Sequence, residues 1–213
     1  MTALVTGGTR RLGRAIADRL RADGWRVLVS SHRADAGADI VADLSSPMGA
    51  ARLYAAALGL LGGEPPDALV NNAALLIGDD AAVEAVNLEA PKKLTTLMAG
   101  REAGRGAVVN ILDAELLAQP QDAPPHRSPR YAETKRGLLE YTVKSAAMFS
   151  GTLRVNAVAP GPVLAPVGFR EKAGDTPLGR PSPDDVARAV EFLLDAAATT
   201  GTVIPVDGGK YLA

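Results

Sequence analysis

Ala3-Leu4-Val5 is followed by Thr6-Gly7-Gly8-Thr9-Arg10-Arg11-Leu12-Gly13 and then by Ala15-Ile16-Ala17-Asp18-Arg19-Leu20. The first segment is an uninterrupted apolar run, the second is rich in glycine, and the third spaces its apolar residues as a helix does. The order is therefore strand, tight turn, helix N-terminus. Unpaired backbone N–H groups and a partial positive charge collect at such a terminus, and glycines let a pyrophosphate approach the main chain closely. The stretch predicts a dinucleotide phosphate site. Glycine turns between strands and helices also serve packing alone, so the rest of the chain has to decide.

Outward from this turn, apolar runs alternate with helical patterns over the whole length. Strands are expected near 3–6, 25–31, 39–42, 67–71, 106–111, 153–158 and 202–206, with helices between most of them. Short runs rich in Val, Ile, Leu and Ala suit strands buried on both faces by crossover helices. The fold class expected is α/β, a Rossmann-type doubly wound parallel sheet of about seven strands, forming one dinucleotide-binding catalytic domain over 1–213. Right-handed crossovers would line up the ends of the first, fourth, fifth and sixth strands along one crevice, where ligands bind in open α/β sheets. Two proline-rich stretches, Gln119 to Pro129 and Pro160 to Pro183, are expected as loops over it.

Composition narrows the function classes. The 213 residues carry 23 basic and 24 acidic side chains, a balance that gives no reason to expect nucleic acid or an anionic membrane as partner. With no cysteine, disulfides and thiolate chemistry are excluded, and a reducing cytoplasm is the location expected. Two histidines make a His-rich metal site improbable, and no metal is expected. No apolar stretch is long enough to span a bilayer. A small-molecule substrate is the partner these features leave.

Tyr131-Ala132-Glu133-Thr134-Lys135 opens a helical stretch running to about Phe149, and the i, i+4 spacing sets phenol and ammonium on one helix face. A cation beside a phenol lowers its pKa, which improves it as a proton donor and acceptor near neutral pH. The same pair occurs by chance in many helices. Its context is an Asn71-Asn72-Ala73 strand end, Asn87 in a downstream helix, Pro160-Gly161 after a strand, and Asp207-Gly208-Gly209 near the C-terminus.

In that order these motifs resemble the short-chain dehydrogenase/reductase family over nearly the whole chain. The resemblance implies cofactor contacts at Gly7, Arg10, Arg11, Leu12, Gly13, His32, Arg33, Asp43, Leu44, Asn72, Ala73, Tyr131, Lys135, Pro160, Gly161 and Val163. It implies catalytic parts for four residues. Tyr131 would transfer a proton, Lys135 would bind the nicotinamide ribose, Asn87 would hold a relay water, and Asp113 would stand in the place of the usual serine. The second strand ends in His32-Arg33 with no acid at its tip, where NAD-specific folds place one, and Arg10 adds a further charge; NADP(H) is therefore favoured over NAD(H). Asp35 keeps the NAD reading open, and both arginines could be ordinary surface residues.

Arg11 in place of the middle glycine, together with Asn110-Ile111-Leu112-Asp113-Ala114, resembles the pteridine reductase branch. Leu76 occupies the position where that branch stacks an aromatic ring on the pterin, and the interval from Asp113 to Tyr131 is longer than usual. The expected function is an NADPH-dependent reductase acting on a pteridine. The alternatives are a carbonyl reductase of the 3-oxoacyl thioester or small-ketone type, a non-catalytic NADP-sensing protein and, for Asp113 itself, a capping acid. The resemblance also implies a homo-oligomer, tetramer or dimer, with the Tyr131 helix and the region from Pro183 at its interfaces.

Overall fold

The computed structural model describes residues 1–34, 37–100, 106–117, 128–164 and 176–211. Asp35, the stretch 119–127 and the middle of the 160–183 connection lie outside the described residues. Among those described, seven strands form one sheet in the order β3-β2-β1-β4-β5-β6-β7, every pair parallel. The strands are β1 (Thr2–Val5), β2 (Arg26–Ser31), β3 (Ile40–Val41), β4 (Ala68–Asn71), β5 (Gly106–Ile111), β6 (Leu153–Pro160) and β7 (Val203–Val206). The helices are α1 (Arg11–Ala22), α2 (Gly49–Leu60), α3 (Asp80–Glu84), α4 (Ala90–Ala99), α5 (Pro129–Met148) and α6 (Pro183–Asp195).

Register explains why the apolar runs are continuous. Leu4, Leu69, Val108 and Val155 lie side by side across β1, β4, β5 and β6, and the row packs with Leu53, Leu94 and Met98 of α2 and α4. One residue further along, Val5, Val70 and Val109 form a row on the other face, against Ile16 and Leu20 of α1 and Val186, Val190 and Leu193 of α6. Successive strand residues point to opposite faces, and here both faces are covered.

The expected strands agree with those observed to within about two residues at either end, and the differences have local causes. β3 shrinks to two residues because Asp39 pairs with β2 partly through its side chain, its carboxylate accepting from the backbone N–H of Val29 at 2.7 Å. β6 runs on to Pro160, whose ring ends the strand opposite Val206 of β7. The catalytic-motif helix starts two residues before Tyr131, with Ser128 as N-cap, its hydroxyl oxygen accepting from the N–H of Tyr131 at 3.4 Å, and Pro129 at the first position. Asn87 sits in a single π turn, Ala85–Glu89, inserted between α3 and α4.

Strand order reverses between β1 and β4. The loops leaving these two neighbours run to opposite sides and open a crevice at the carboxyl ends of β1, β4, β5 and β6.

Candidate active site

The glycine turn is fastened by the end of β4. The hydroxyl oxygen of Thr6 accepts from the backbone N–H groups of Asn72 and Ala73, both at 3.0 Å, while the Asn72 side chain donates to the carbonyls of Thr6 at 2.9 Å and Gly7 at 3.2 Å. Gly7 holds φ +64°, and a Cβ at Gly13 would run into the Gly7 carbonyl and the Asn72 amide. Both positions therefore require glycine for geometric reasons. Arg11 adopts φ +52°, a conformation that costs a side-chain-bearing residue about 1 kcal/mol or more, and it does so as the first residue of α1. Arg10, the N-cap, makes no side-chain capping bond, and the first turn holds no acidic residue. The positive end of α1 is thus left facing the crevice, which fits a pyrophosphate.

At the other side of β1, His32 and Arg33 stand exposed beyond the end of β2. Asp43 follows β3, and one of its carboxylate oxygens accepts from both the N–H of Ser45, at 2.9 Å, and the Ser45 hydroxyl, at 2.6 Å. These bonds, with a smaller contribution from the field of His32, hold its carboxyl below the usual carboxylate range. Leu44 is buried beside it. An adenosine with an added 2′-phosphate would meet a fixed acid and nearby cationic side chains here.

A cleft of about 210 Å³ opens at the strand ends, lined by Arg11, Leu12, Asn72, Asp113, Tyr131, Lys135, Pro160, Gly161 and Val163, and also by Ala74, Ile111, Leu112 and Leu164. Nine of the residues proposed from sequence therefore line one cleft. Gly7, Arg10, Gly13 and Ala73 belong to the turn beside it, while His32, Arg33, Asp43 and Leu44 lie toward the adenosine end. Asn87 is fully buried, and its carboxamide is engaged on both sides. The oxygen accepts from the N–H of Leu75 at 2.8 Å, and the nitrogen donates to the Leu75 carbonyl at 2.9 Å and to the hydroxyl of Thr134 at 3.3 Å. Its side chain thus clasps the loop after β4 to α5.

Lys135 is buried and donates to the carbonyl of Ile111 at 2.7 Å. Burial pushes its pKa down to about 8, against the opposing pull of the Asp113 carboxylate. The expectation for Tyr131 is reversed. Spacing along α5 suggested that Lys135 would lower the phenol; instead burial raises it, and the field of the Asp113 carboxylate raises it further. The Lys135 ammonium lies 5.7 Å from the Tyr131 ring centroid. In this arrangement the nearer anion and desolvation outweigh the cation. Asp113 also accepts from the N–H of Glu115 at 3.0 Å, capping the short 3₁₀ turn Ala114–Leu117. Asp113 thus caps this turn and also lines the cleft. Leu76 is half-buried and is not among the residues lining the cleft; Ala74 lines it in this region.

The sequence reading missed the Ile111 carbonyl, a main-chain group with no residue signature, and Thr134, whose hydroxyl donates to the Tyr131 carbonyl at 2.8 Å and accepts from Asn87. No group of His, Asp and Glu able to hold a metal occurs among the described residues, and no helix among them is long and apolar enough to cross a membrane.

Comparison with known proteins adds independent evidence. Residues 7–210 match the family model described as enoyl-(acyl carrier protein) reductase. L-xylulose reductase of Bos taurus is 32% identical, the alignment covering 97% of this chain and 95% of that protein. The rhamnolipids biosynthesis 3-oxoacyl-acyl-carrier-protein reductase of Pseudomonas aeruginosa is 30% identical over 99% and 96% of the two chains. Among solved structures, FolM alternative dihydrofolate reductase 1 from Brucella canis, complexed with NADP, superposes with a TM-score of 0.87 at 29% identity, covering all of this chain and 94% of that one. Motif order, sheet order and these likenesses agree: the chain is an oxidoreductase of the short-chain dehydrogenase/reductase family.

Proposed function

We propose that the protein reduces a pteridine with NADPH. The observation that carries this reading is that Asp113 and Arg11 line the same cleft as Tyr131 and Lys135, with the Asp113 carboxylate close enough to the phenol to raise it. A ketone reductase needs one group to hold the substrate carbonyl and one to protonate it. A ring C=N bond accepting hydride at carbon needs a proton at nitrogen, and a carboxyl behind the phenol can resupply that proton. A flat heterocycle bearing amide and amino groups also matches a guanidinium and a carboxylate facing the same cleft. The solved FolM dihydrofolate reductases, at 29% and 28% identity, support the substrate class.

The cofactor would lie with its pyrophosphate against the Gly7–Gly13 turn and its 2′-phosphate near Arg10 and Arg33, and when bound it supplies the hydride. NADP or NADPH is the ligand named for three similar structures, which supports NADPH over NADH. Tyr131 would pass its proton to the substrate nitrogen, and the Asp113 carboxylate would relay one from solvent water back to the phenolate. Lys135, charged below about pH 8, holds the ribose and stabilises the phenolate as it forms. Asn87 and Thr134 keep the start of α5 in place from behind.

The test is NADPH oxidation with dihydrobiopterin. Turnover is expected, with Asp113→Ser lowering it sharply. A second reading, reduction of a 3-oxoacyl thioester, is favoured by the Pseudomonas relative and by leucine at position 76 in place of a stacking ring. Robust acetoacetyl-thioester turnover without dihydropterin turnover would replace the first reading with the second. Val143 and Met148 exposed on α5 and Phe192 exposed on α6 support a homo-oligomer, tetramer or dimer, to be checked by light scattering. A cytoplasmic setting accords with a chain free of cysteine.

A further inference from the structure

Asp207-Gly208-Gly209, which follows β7, has no part in the chemistry above. Its geometry is that of a fastening with two sides. Asp207 is buried, and its two carboxylate oxygens accept the backbone N–H groups of Gly209 at 2.9 Å and Tyr211 at 3.2 Å, which folds the chain end back over the turn. On one side Gly161 donates to the carbonyl of Val206 at 2.9 Å, and a Cβ at Gly161 would lie 2.7 Å from both Cα and Cβ of Asp207. On the other side the N–H of Leu178 donates to the Gly208 carbonyl at 2.9 Å. Gly208 holds φ +67°, and a Cβ there would strike the Gly179 carbonyl. The two stems of the connection between β6 and α6 thus rest on adjacent residues of one segment, Val206 and Asp207 on one side and Gly208 on the other. The first stem, Pro160 to Leu164, is also a wall of the cleft.

We propose that Asp207 is the positioning residue for that wall. By satisfying the backbone donors of Gly209 and Tyr211 with one carboxylate, it fixes the turn at Gly208. The turn in turn sets the Pro160–Leu164 stem against the Thr176–Gly179 stem. A carboxylate that accepts from two backbone N–H groups at once holds both in one arrangement. Asp207 itself does not line the cleft, so it acts only through Gly161 and Gly208. The part of the proposal concerning ligand rests on reading the cleft as the NADPH site, whereas the part concerning the stems does not.

Amide hydrogen exchange on the full chain separates these parts. In Asp207→Ala the amides of Gly161 and Leu178 should exchange about tenfold faster, the loss of roughly one hydrogen bond, while those of β1, β4 and β5 stay unchanged. The KM for NADPH should rise by a similar factor, with kcat little altered. Gly208→Ala, which pushes on Gly179 from the opposite side, should give the same signature. Should the alanine variant at 207 fail to fold, Asp207→Asn keeps one acceptor and should show a smaller local acceleration. Acceleration spread evenly over the sheet, or no change at Gly161 and Leu178, overturns the proposal. Faster exchange with an unmoved KM and NADPH dissociation constant overturns the positioning role. Absence of dihydropterin turnover in the wild type counts against the substrate reading alone, because exchange and NADPH dissociation constants are measured without substrate.

Discussion

Where the glycine turn meets the end of β4, polar contacts run mostly between a hydroxyl, an amide and main-chain groups, and the space is shaped by glycines that tolerate no Cβ. Where β5 meets α5, three ionisable side chains, Asp113, Tyr131 and Lys135, share the same crevice; burial pushes the phenol up and the ammonium down, and the Asp113 carboxylate pulls both upward. The first region is rigid and does not titrate near neutral pH. The second is governed by burial and by which charge is nearer. On the proposed reading, binding and chemistry are separated along the carboxyl ends of the strands, and substitutions should divide along the same line.

Tyr131→Phe is the sharpest break. It should lower kcat by a hundred- to ten-thousandfold, the range for a lost proton-transfer group, and leave the NADPH dissociation constant within a factor of two or so. A parallel loss of cofactor binding, measured by fluorescence titration, would show that the two regions are not separable. Gly13→Ala attacks the other region, driving a Cβ into the Gly7 carbonyl and Asn72; it should cost about 1–3 kcal/mol, read as weaker NADPH binding and a lower melting point. Unchanged NADPH affinity would mean that the turn does not carry the pyrophosphate.

Lys135→Met tests how much stability the ionisable region sacrifices. A lysine whose pKa falls from 10.5 in the unfolded chain to about 8 in the fold is penalised fully below pH 8, and the penalty disappears as pH rises to 10.5. The difference corresponds to about 3 kcal/mol, less about 1–2 kcal/mol for the lost hydrogen bond to the Ile111 carbonyl. The variant should be inactive yet more stable at pH 7 by about 1–2 kcal/mol in denaturant titration, with the gain vanishing near pH 10. In the wild type, kcat/KM should fall as pH rises through about 8. Arg33→Ala, the smallest effect, should weaken NADPH by about 1 kcal/mol and leave NADH unaffected, since Arg33 is exposed and solvent screens its charge.

Much of the fold was legible because burial on both faces writes each strand as an apolar run; Val5, Val70 and Val109 needed no partner information to be recognised. The turn was legible because close approach demands glycine, which is visible as a letter. The electrostatics were not. That Tyr131 and Lys135 share a helix can be counted along the chain, but the Asp113 carboxylate comes from the loop after β5, and only the folded arrangement reveals that burial and this anion raise the phenol. Likewise the letters marked Asn87 without revealing that its amide is engaged by Leu75 and Thr134.

The left-handed backbone at Arg11 has a consequence for which sequences this position can accept. Every side chain other than glycine carries a conformational cost there, smallest for Asn and Asp and largest for β-branched residues, so residues that contribute nothing to the cleft have little to set against it. A saturation library at position 11 should therefore show two separate peaks. Glycine should lead when variants are ranked by heat resistance and arginine when they are ranked by turnover, with the remaining residues poor by both measures.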